Sequence, residues 1–447
     1  MRGKASSYQF LAIGFIGLIE LMHFEKENVM LKQSMAALLM ATMLVAVQAS
    51  AEEGFVSLFN GKNLDGWTVK GGYATYKVEN GAIVGTCKPG TPGNTFLCTE
   101  NDYGNFIIKM DFKFIVDGNS GVQVRSHAKP WKEGRESVFG YQCELAPYAA
   151  TGRIYDEGRR GFKHKKVFLD STPEDVREKA FSTYKANDWN AIEIQCVGPS
   201  IRTWLNGLPV ANIFDSADLR GFVGLQVHAG KAGTIAWRNI RIKELPATEW
   251  KSFFVEGDKG WKLVDARFVL PECWSFDKEG VLHGVHTRSE KKDGLVVSDK
   301  NYSDFAARVS YKLSGGNSAL YFRAEEVNTP WLLKGFQNEI AGNTKDSALW
   351  HTAGDKTKGR GWVANNDEYI AKVRLPNEQW NTTCTMAVGD RIVEALNTFE
   401  TIDIVDPDCE KSGKFGLQLH GSADVKMQFK GFEYYEITPE MRKLIER

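Results

Sequence analysis

A chain of 447 residues is long for one ordinary domain, so two or three domains are expected. Its 56 basic and 56 acidic residues cancel, leaving no field that would draw it to nucleic acid or an anionic membrane. Abundant glycine (43) beside 12 Trp, 26 Phe and 14 Tyr suits short strands joined by tight turns, with aromatic rings left for stacking on ligands.

The N-terminus reads as an address label. After Met30, Lys32 gives a short basic region, Met35 to Val47 is apolar and uncharged, and Ala49-Ser50-Ala51 is a small-x-small cleavage signal. The mature chain is expected to begin near Glu52, in the periplasm or outside the cell. Met1 to Val29 has its own apolar run, Phe10 to Ile19, followed by Glu20, Glu25 and Glu27. It reads as an upstream extension, with Met30 the initiator; the alternative is a membrane anchor, for which the run is short. No Cys stands at the cleavage site for a lipid anchor, and nothing after Glu52 is apolar for long enough to cross a bilayer. The seven cysteines all follow Glu52, and their odd number without a C-x-x-C argues against a disulfide framework or zinc site. Cys87 and Cys98 are placed to bridge neighbouring strands; most of the others read as isolated buried thiols.

The mature part repeats itself after roughly 190–200 residues, a domain duplication rather than a solenoid. "ENGAIVG" (Glu79 to Gly85) answers "KEGVLHG" (Lys278 to Gly284), and "TFLCTENDYGNFIIKMDFKF" from Thr95 runs without a gap against the segment from Gly294. "GNSGVQVRS" from Gly118 matches "GNSALYFRA" from Gly316, "GYQCELA" from Gly140 matches "GFQNEIA" from Gly335, and "WNAIEIQC" from Trp189 matches "WNTTCTMA" from Trp380. "GFVGLQVHAG" from Gly221 matches "GKFGLQLHGS" from Gly413. Within the blocks the period is two: Ile108, Met110, Phe112 and Phe114 fall on one face, with Lys109, Asp111 and Lys113 opposite. Asn206-Gly207 predicts a hairpin turn. Thr172-Pro173 opens a helix toward Tyr184 with Pro at its first position, and Thr438-Pro439 opens a terminal one. The expectation is an upstream extension with signal peptide (1–51) and two all-β sandwiches (52–247 and 248–447), divided near "LPATEWKS".

Alternation also sorts an unusual polar set onto one face of three strands. Gln123 and Arg125 oppose Val122 and Val124; Gln142 and Glu144 oppose Tyr141 and Cys143; Gln226 and His228 oppose Leu225 and Val227. The second copy repeats this with Tyr321 and Arg323, Gln337 and Glu339, and Gln418 and His420. One explanation is a hydrogen-bond network inside the sheet; the other is a concave face gripping a hydroxylated ligand. The loop "ATGRIYDEGRRG" from Ala150 adds Tyr155, Asp156 and Glu157, which either close the rim of that face or form a surface salt-bridge cluster. Its counterpart keeps Trp350-His351. No nucleophile elbow, P-loop or His-Glu-x-x-His appears, and no cofactor is evident; a divalent cation at Asp156 and Glu157 stays open.

The ordered set "FVSLFNGKNLDGW", "NSGVQVRS", "GYQCEL", "TGRIYDE", "WNAIEIQCVGPSIRTWLNG" and "LQVHAGKAGTIAWRNIRIKEL" resembles the bacterial 3-keto-disaccharide hydrolase family. The match covers Phe55 to Leu245, with a weaker one over Phe254 to Ile437. It implies two tandem concanavalin- or laminin-G-like jelly rolls with few short helices, acting on glycosides whose C3 hydroxyl is oxidised to a ketone. Such a ketone acidifies the C2 proton, so a base can remove it, the C1 substituent can leave, and water can add back. Glu144 or His228 is expected as base or acid and Arg125 as enolate stabiliser. Gln123, Gln142, Gln226, Tyr155, Asp156 and Glu157 are expected to bind substrate. Arg323, Glu339, Gln418 and His420 are the second-copy equivalents, in a copy expected to be accessory because its charged loop has diverged. The alternatives are a non-catalytic carbohydrate-binding protein or a conventional glycosidase, which needs two carboxylates where the first copy shows one strand carboxylate, Glu144. The expected partner is a carbohydrate, with neither nucleic acid nor membrane insertion; oligomeric state is not legible.

Overall fold

The computed structural model describes residues 52–160, 168–170, 172–230, 232–247, 249–289, 291–352 and 360–446. The expected signal peptide and upstream extension lie outside these residues, as do Gly161 and 353–359 of the two charged loops. From Ser57 onward, alternating sequences form two all-β sandwiches, each of two main antiparallel sheets, with a small two-stranded hairpin added in the second. In the first, the polar sheet runs Trp67–Gly71, Thr95–Tyr103, Gly221–Val227, Ser120–Pro130, Glu136–Leu145, Ile154–Glu157. Its companion runs Leu208–Phe214, Ser200–Leu205, Asn190–Val197, Phe106–Val116, Thr234–Glu244, Ala82–Thr86, Thr75–Glu79. Strands distant in sequence are neighbours in both sheets, the crossing pattern of a jelly roll. The second sandwich repeats the plan. Its polar sheet runs Ala266–Val269, Gly294–Ser298, Lys414–Leu419, Ser318–Glu326, Leu333–Ile340, Leu349–Thr352, Gly361–Ala364.

Each sandwich buries its own core between its sheets. Ile108, Met110, Phe112 and Phe114 point inward as the period of two predicts, against Val122, Val124, Tyr141, Cys143 and Leu225 from the polar sheet. The Asn206-Gly207 hairpin forms, with Leu205 opposite Leu208 and positive φ at both turn residues. In the second copy Asn397 and Thr398 make the same turn at φ 53° and 71°, a strained backbone for a β-branched residue. The helices differ slightly from expectation. Glu174–Phe181 is helical with Pro173 at the cap, one position early, and no side chain caps it. Thr438 does cap Pro439–Glu446, accepting from the Met441 N–H at 3.3 Å. All seven cysteines are free. The expected Cys87–Cys98 bridge does not form, because Cys87 packs in the inter-sheet core while Cys98 belongs to a cluster with Phe96, Val138 and Phe222 on the other face of the polar sheet.

A third apolar cluster joins the sandwiches. Val197 and Phe214 of the first meet Ala306, Met386, Val393, Tyr435, Met441 and Ile445 of the second. The terminal helix is tied across this seam: Gln195 donates to the Leu444 carbonyl at 2.8 Å and Arg202 to that of Ile445 at 2.8 Å. Cations at a helix C-terminus satisfy its otherwise unpaired carbonyls.

The two cores have diverged in one respect. Cys143, Ile194 and Thr203 of the first are answered in the second by Asn338, Thr385 and Glu394, a polar network sealed from solvent. Asn338 and Thr385 both donate to Glu394 Oε2 (the latter at 2.6 Å), while Oε1 has no hydrogen-bond partner. Burial drives the Glu394 carboxyl well above its ordinary range, and those two bonds offset only part of the shift. The folded state therefore prefers protonated Glu394. Its stability contribution is full below the unfolded carboxylate range and is lost as pH rises toward the elevated folded value. Denaturation midpoints of the native protein should fall with pH above that range, and Glu394→Gln should flatten the dependence.

Candidate functional site

One backbone irregularity decides which side chains share the polar face. Arg125 has φ 48° and sits at a β-bulge, where the register with Glu136–Leu145 shifts between Val124 and His127. The extra residue breaks the alternation, so Arg125 does not lie beside Gln123. Its fully buried guanidinium turns toward the companion sheet, donating from Nε to the Gly104 carbonyl (2.8 Å), from one terminal nitrogen to that of Gly198 (2.5 Å), and from the other to Asn105 Oδ1 (3.2 Å). Arg323 repeats this at φ 45°, donating to Ser303 and Gly389 carbonyls. Bare glycines flank each bulge: a Cβ on Gly221 would lie 2.5 Å from the Arg125 carbonyl carbon, and one on Gly413 2.3 Å from that of Arg323. The catalytic assignment of Arg125, and its counterpart at Arg323, is therefore corrected. Both are structural anchors.

The rest of the polar face forms a hydrogen-bonded chain. Ser126 donates to Gln123 Oε1 (2.7 Å), Gln123 Nε2 to Gln142 Oε1 (2.8 Å), and Gln142 Nε2 to Glu144 Oε2 (2.8 Å). Asn119 donates to Glu144 Oε1 and, through its carbonyl, accepts the His228 backbone N–H. Gly121, between Glu144 and Gln226 in register, leaves space for Gln142; a Cβ there would lie 2.4 Å from Gln142 Cγ. His228 is exposed at the strand end, where Nδ1 donates to the Ala229 carbonyl at 2.6 Å and so leaves the lone pair of the neutral ring on Nε2.

The charged motif divides by alternation. Ile154–Glu157 is the last strand of the sheet, so Tyr155 pairs with Gln142 and shares its face, as does Glu157 two residues on. Glu157 lies three strands from Gln226, roughly 14 Å at the usual spacing. Yet Gln226 Nε2 reaches Glu157 Oε2 at 3.5 Å and Asn94 reaches Oε1 at 3.2 Å. The sheet must curve to bring them together, which makes this face concave. Gln226 Oε1 is buried with no hydrogen-bond partner. Asp156 faces the other way. It binds Arg159 and Arg160, whose further partners are Asp218, Asp215 and the Thr398 carbonyl of the second sandwich. Burial opposes ionisation of Asp156, but the two arginines outweigh it and hold the carboxyl below its usual range. Asp156 is thus an inter-sandwich clamp, which corrects its reading as a substrate ligand.

Two carboxyls consequently share the concave face, Glu144 and Glu157. Burial raises Glu144 above its ordinary value, against the bonds from Asn119 and Gln142. Glu157 is pushed up to about 7 by burial, opposed by the Asn94 bond and reinforced by the charges of Glu144 and Asp156. Burial and the same carboxylates push the Tyr155 hydroxyl up to about 12. Among the described residues no group of three or more His, Cys, Asp or Glu is arranged to hold a metal ion. Sequence reasoning missed Asn94 and Asn119. Asn119 stood in the duplicated "GNS" block, whereas Asn94 directly precedes a matched block and is Asp293 in the second copy.

In that second copy a cleft of about 850 Å³ opens on the equivalent face, between Tyr321, Gln337, Glu339, Gln418, His420, Asp293, Trp350 and Trp362. Asn317 donates to Glu339 Oε1 at 2.5 Å, as Asn119 does to Glu144. Burial raises Glu339 to about 7, opposed by that bond and aided by the charge of Asp346.

Against known families, the chain matches the 3-keto-alpha-glucoside-1,2-lyase-like domain twice, over 54–243 and 249–433. The chain belongs to this family. Membership makes it a carbohydrate-active enzyme, in which the matched regions carry the two polar sheets. No curated protein matches it significantly. Similar solved structures include a glycosyl hydrolase candidate from Parabacteroides distasonis (21% identity, 43% of this chain and 95% of that one, TM-score 0.32). Others are a Bacillus subtilis carbohydrate-binding module of type CBM66 (19%, 36% and 88%, 0.28) and a Bacillus licheniformis β-glucanase (11%, 43% and 99%, 0.30).

If the arginines are anchors, their removal strands buried carbonyls. Arg125→Met or Arg323→Met should each cost about 3 kcal/mol of stability, the scale of unmaking several buried hydrogen bonds. Chemical denaturation checks this, with the fraction that stays folded keeping its ligand affinity.

Proposed function

We propose that this family member cleaves 3-keto-glycosides on the concave face of the first sandwich, as an exported protein of carbohydrate breakdown. The observation that carries the reading is the Glu144 and Glu157 pair: two carboxyls on one face, both raised by burial, with the charge of Glu144 helping to hold the proton on Glu157. Environments that push two acids apart in this way set up a base and an acid near neutrality. Glu144, whose negative charge helps hold the proton on Glu157, takes the C2 proton. The electrons form the C1=C2 double bond as the C1–O bond breaks, and Glu157 protonates the departing oxygen. Water then adds across the double bond: its oxygen goes to C1 as Glu144 returns the proton to C2, and the water's second proton restores Glu157, with net hydrolysis.

The remaining groups position the sugar. Gln142 and Gln226 have the amide N–H groups to meet the developing enolate oxygen. The partnerless Gln226 Oε1 suits a sugar hydroxyl, since a buried acceptor costs free energy until it is paired. Tyr155 forms part of the rim, and His228, with its lone pair on Nε2, stands beside Asn119 as a second proton acceptor at the edge.

Incubation with a 3-keto-disaccharide and its unoxidised parent, read by chromatography, tests the proposal. Only the oxidised sugar should be cleaved. Glu144→Gln should lower kcat by about 100-fold or more, the usual contribution of a positioned acid or base. Because Glu157 must stay protonated, kcat/KM should fall as pH rises through about 7, and Glu157→Gln should remove that limb. Near-normal turnover in both variants sinks the assignment. Cleavage of the unoxidised sugar would mark a conventional glycosidase, and binding without product a carbohydrate-binding protein.

A further inference from the structure

The two concave faces are not copies in one essential respect. The first draws its second carboxylate from the last strand, as Glu157, with neutral Asn94 across the face. In the second copy these types are exchanged: Thr352 stands where Glu157 does, and Asp293 stands where Asn94 does. Asp293 Oδ2 accepts from Gln418 Nε2 at 2.6 Å and Oδ1 from the Gly421 N–H at 2.7 Å. The matching Asn94 Oδ1 accepts the Ala229 N–H at 2.9 Å. The backbone frame is therefore held in common while the acid has changed strands. Each face keeps an Asn-held glutamate, a central Gln and one further carboxylate.

Other differences rim the second face. Tyr155 and Phe168 are replaced by Trp350 and Trp362, paired edge to face with centroids 4.9 Å apart. Trp362 stays 47% exposed although Trp350 packs on it and the Lys345 ammonium lies 5.2 Å from its ring centroid. The cleft they wall, about 850 Å³, falls within the range of small-ligand sites, roughly 300–1,000 Å³. His420 has the opposite tautomer to His228: its Nδ1 accepts from the Ser422 N–H at 3.1 Å, so the neutral ring presents Nε2–H as a donor. Flat aromatic walls, two buried carboxyls and amide groups are the chemistry that holds a glycosyl unit, with its apolar ring face on the indoles and its hydroxyls on the acids.

We propose that the second sandwich carries a glycosyl-binding site of its own, built on Glu339 and Asp293 and walled by Trp350 and Trp362. The inference rests on the carbohydrate-active reading of the family but not on keto-sugar cleavage by the first sandwich. It replaces the expectation of a merely accessory copy with a distinct site that binds a disaccharide or longer glycan.

Calorimetric titration of the full chain with cellobiose and 3-keto-cellobiose, in a Glu144→Gln/Glu157→Gln background, supplies the test. Saturable binding should persist, and Trp362→Ala, an exposed position that does not disturb the core, should weaken it about tenfold or more. Asp293→Asn should weaken it similarly, and Asp293→Asn combined with Thr352→Glu should recover affinity by restoring the acid on the other strand. Binding that is absent, or indifferent to Trp362 and Asp293, overturns the proposal. Trp362-dependent binding beside a native chain, with Glu144 and Glu157 intact, that turns over no keto-sugar would sink the cleavage reading alone. Normal turnover without such binding would sink this one alone.

Discussion

A buried guanidinium fixes each sandwich. Arg125 and Arg323 carry full positive charges away from water, which is tolerable only because each is met by carbonyl and side-chain oxygens of the opposite sheet. To reach them the backbone must bulge into the left-handed region, and the bulge in turn demands bare glycine on both neighbouring strands. Gly140 and Gly221 in the first copy, with Gly335 and Gly413 in the second, meet that demand. Four strands' worth of sequence blocks thus answer to one geometric requirement.

The same bulge sets the chemistry. By shifting the register after Val124 it leaves Gln123 on the concave face and withdraws the Arg125 guanidinium from it. Alternation along the edge strand does the rest, sending Tyr155 and Glu157 to the concave face and Asp156 to the clamp between sandwiches. A face carrying two buried carboxyls follows, and so does an ion-paired junction between the sandwiches.

Much of this was legible in the sequence. Period-two patterning named the inward Ile108, Met110, Phe112 and Phe114, the Asn206-Gly207 turn, the duplication and the shared face of Gln142, Glu144 and Gln226. What failed did so for local reasons. A bulge adds a residue without any signature of its own, so strict alternation misplaced Arg125 and Arg323. Treating Ile154–Glu157 as a rim loop merged Asp156 with Glu157, although a strand separates them by face. Asn94 and Asp293 escaped because a neutral and an acidic residue at matched positions look like divergence until the exchange with Glu157 and Thr352 is seen in space.

The seam between the sandwiches also has a temporal meaning. Its apolar residues on the first sandwich, Val197 and Phe214, are covered by partners that include Met441 and Ile445 of the helix Pro439–Glu446. In vectorial synthesis or export these eight residues emerge after both sandwiches. Until then the part of the seam that Met441 and Ile445 fill stays open, and Gln195 and Arg202 wait for their carbonyl partners. The seam is therefore completed only by the last turns of the chain, which close over a junction that the second sandwich has already begun to cover.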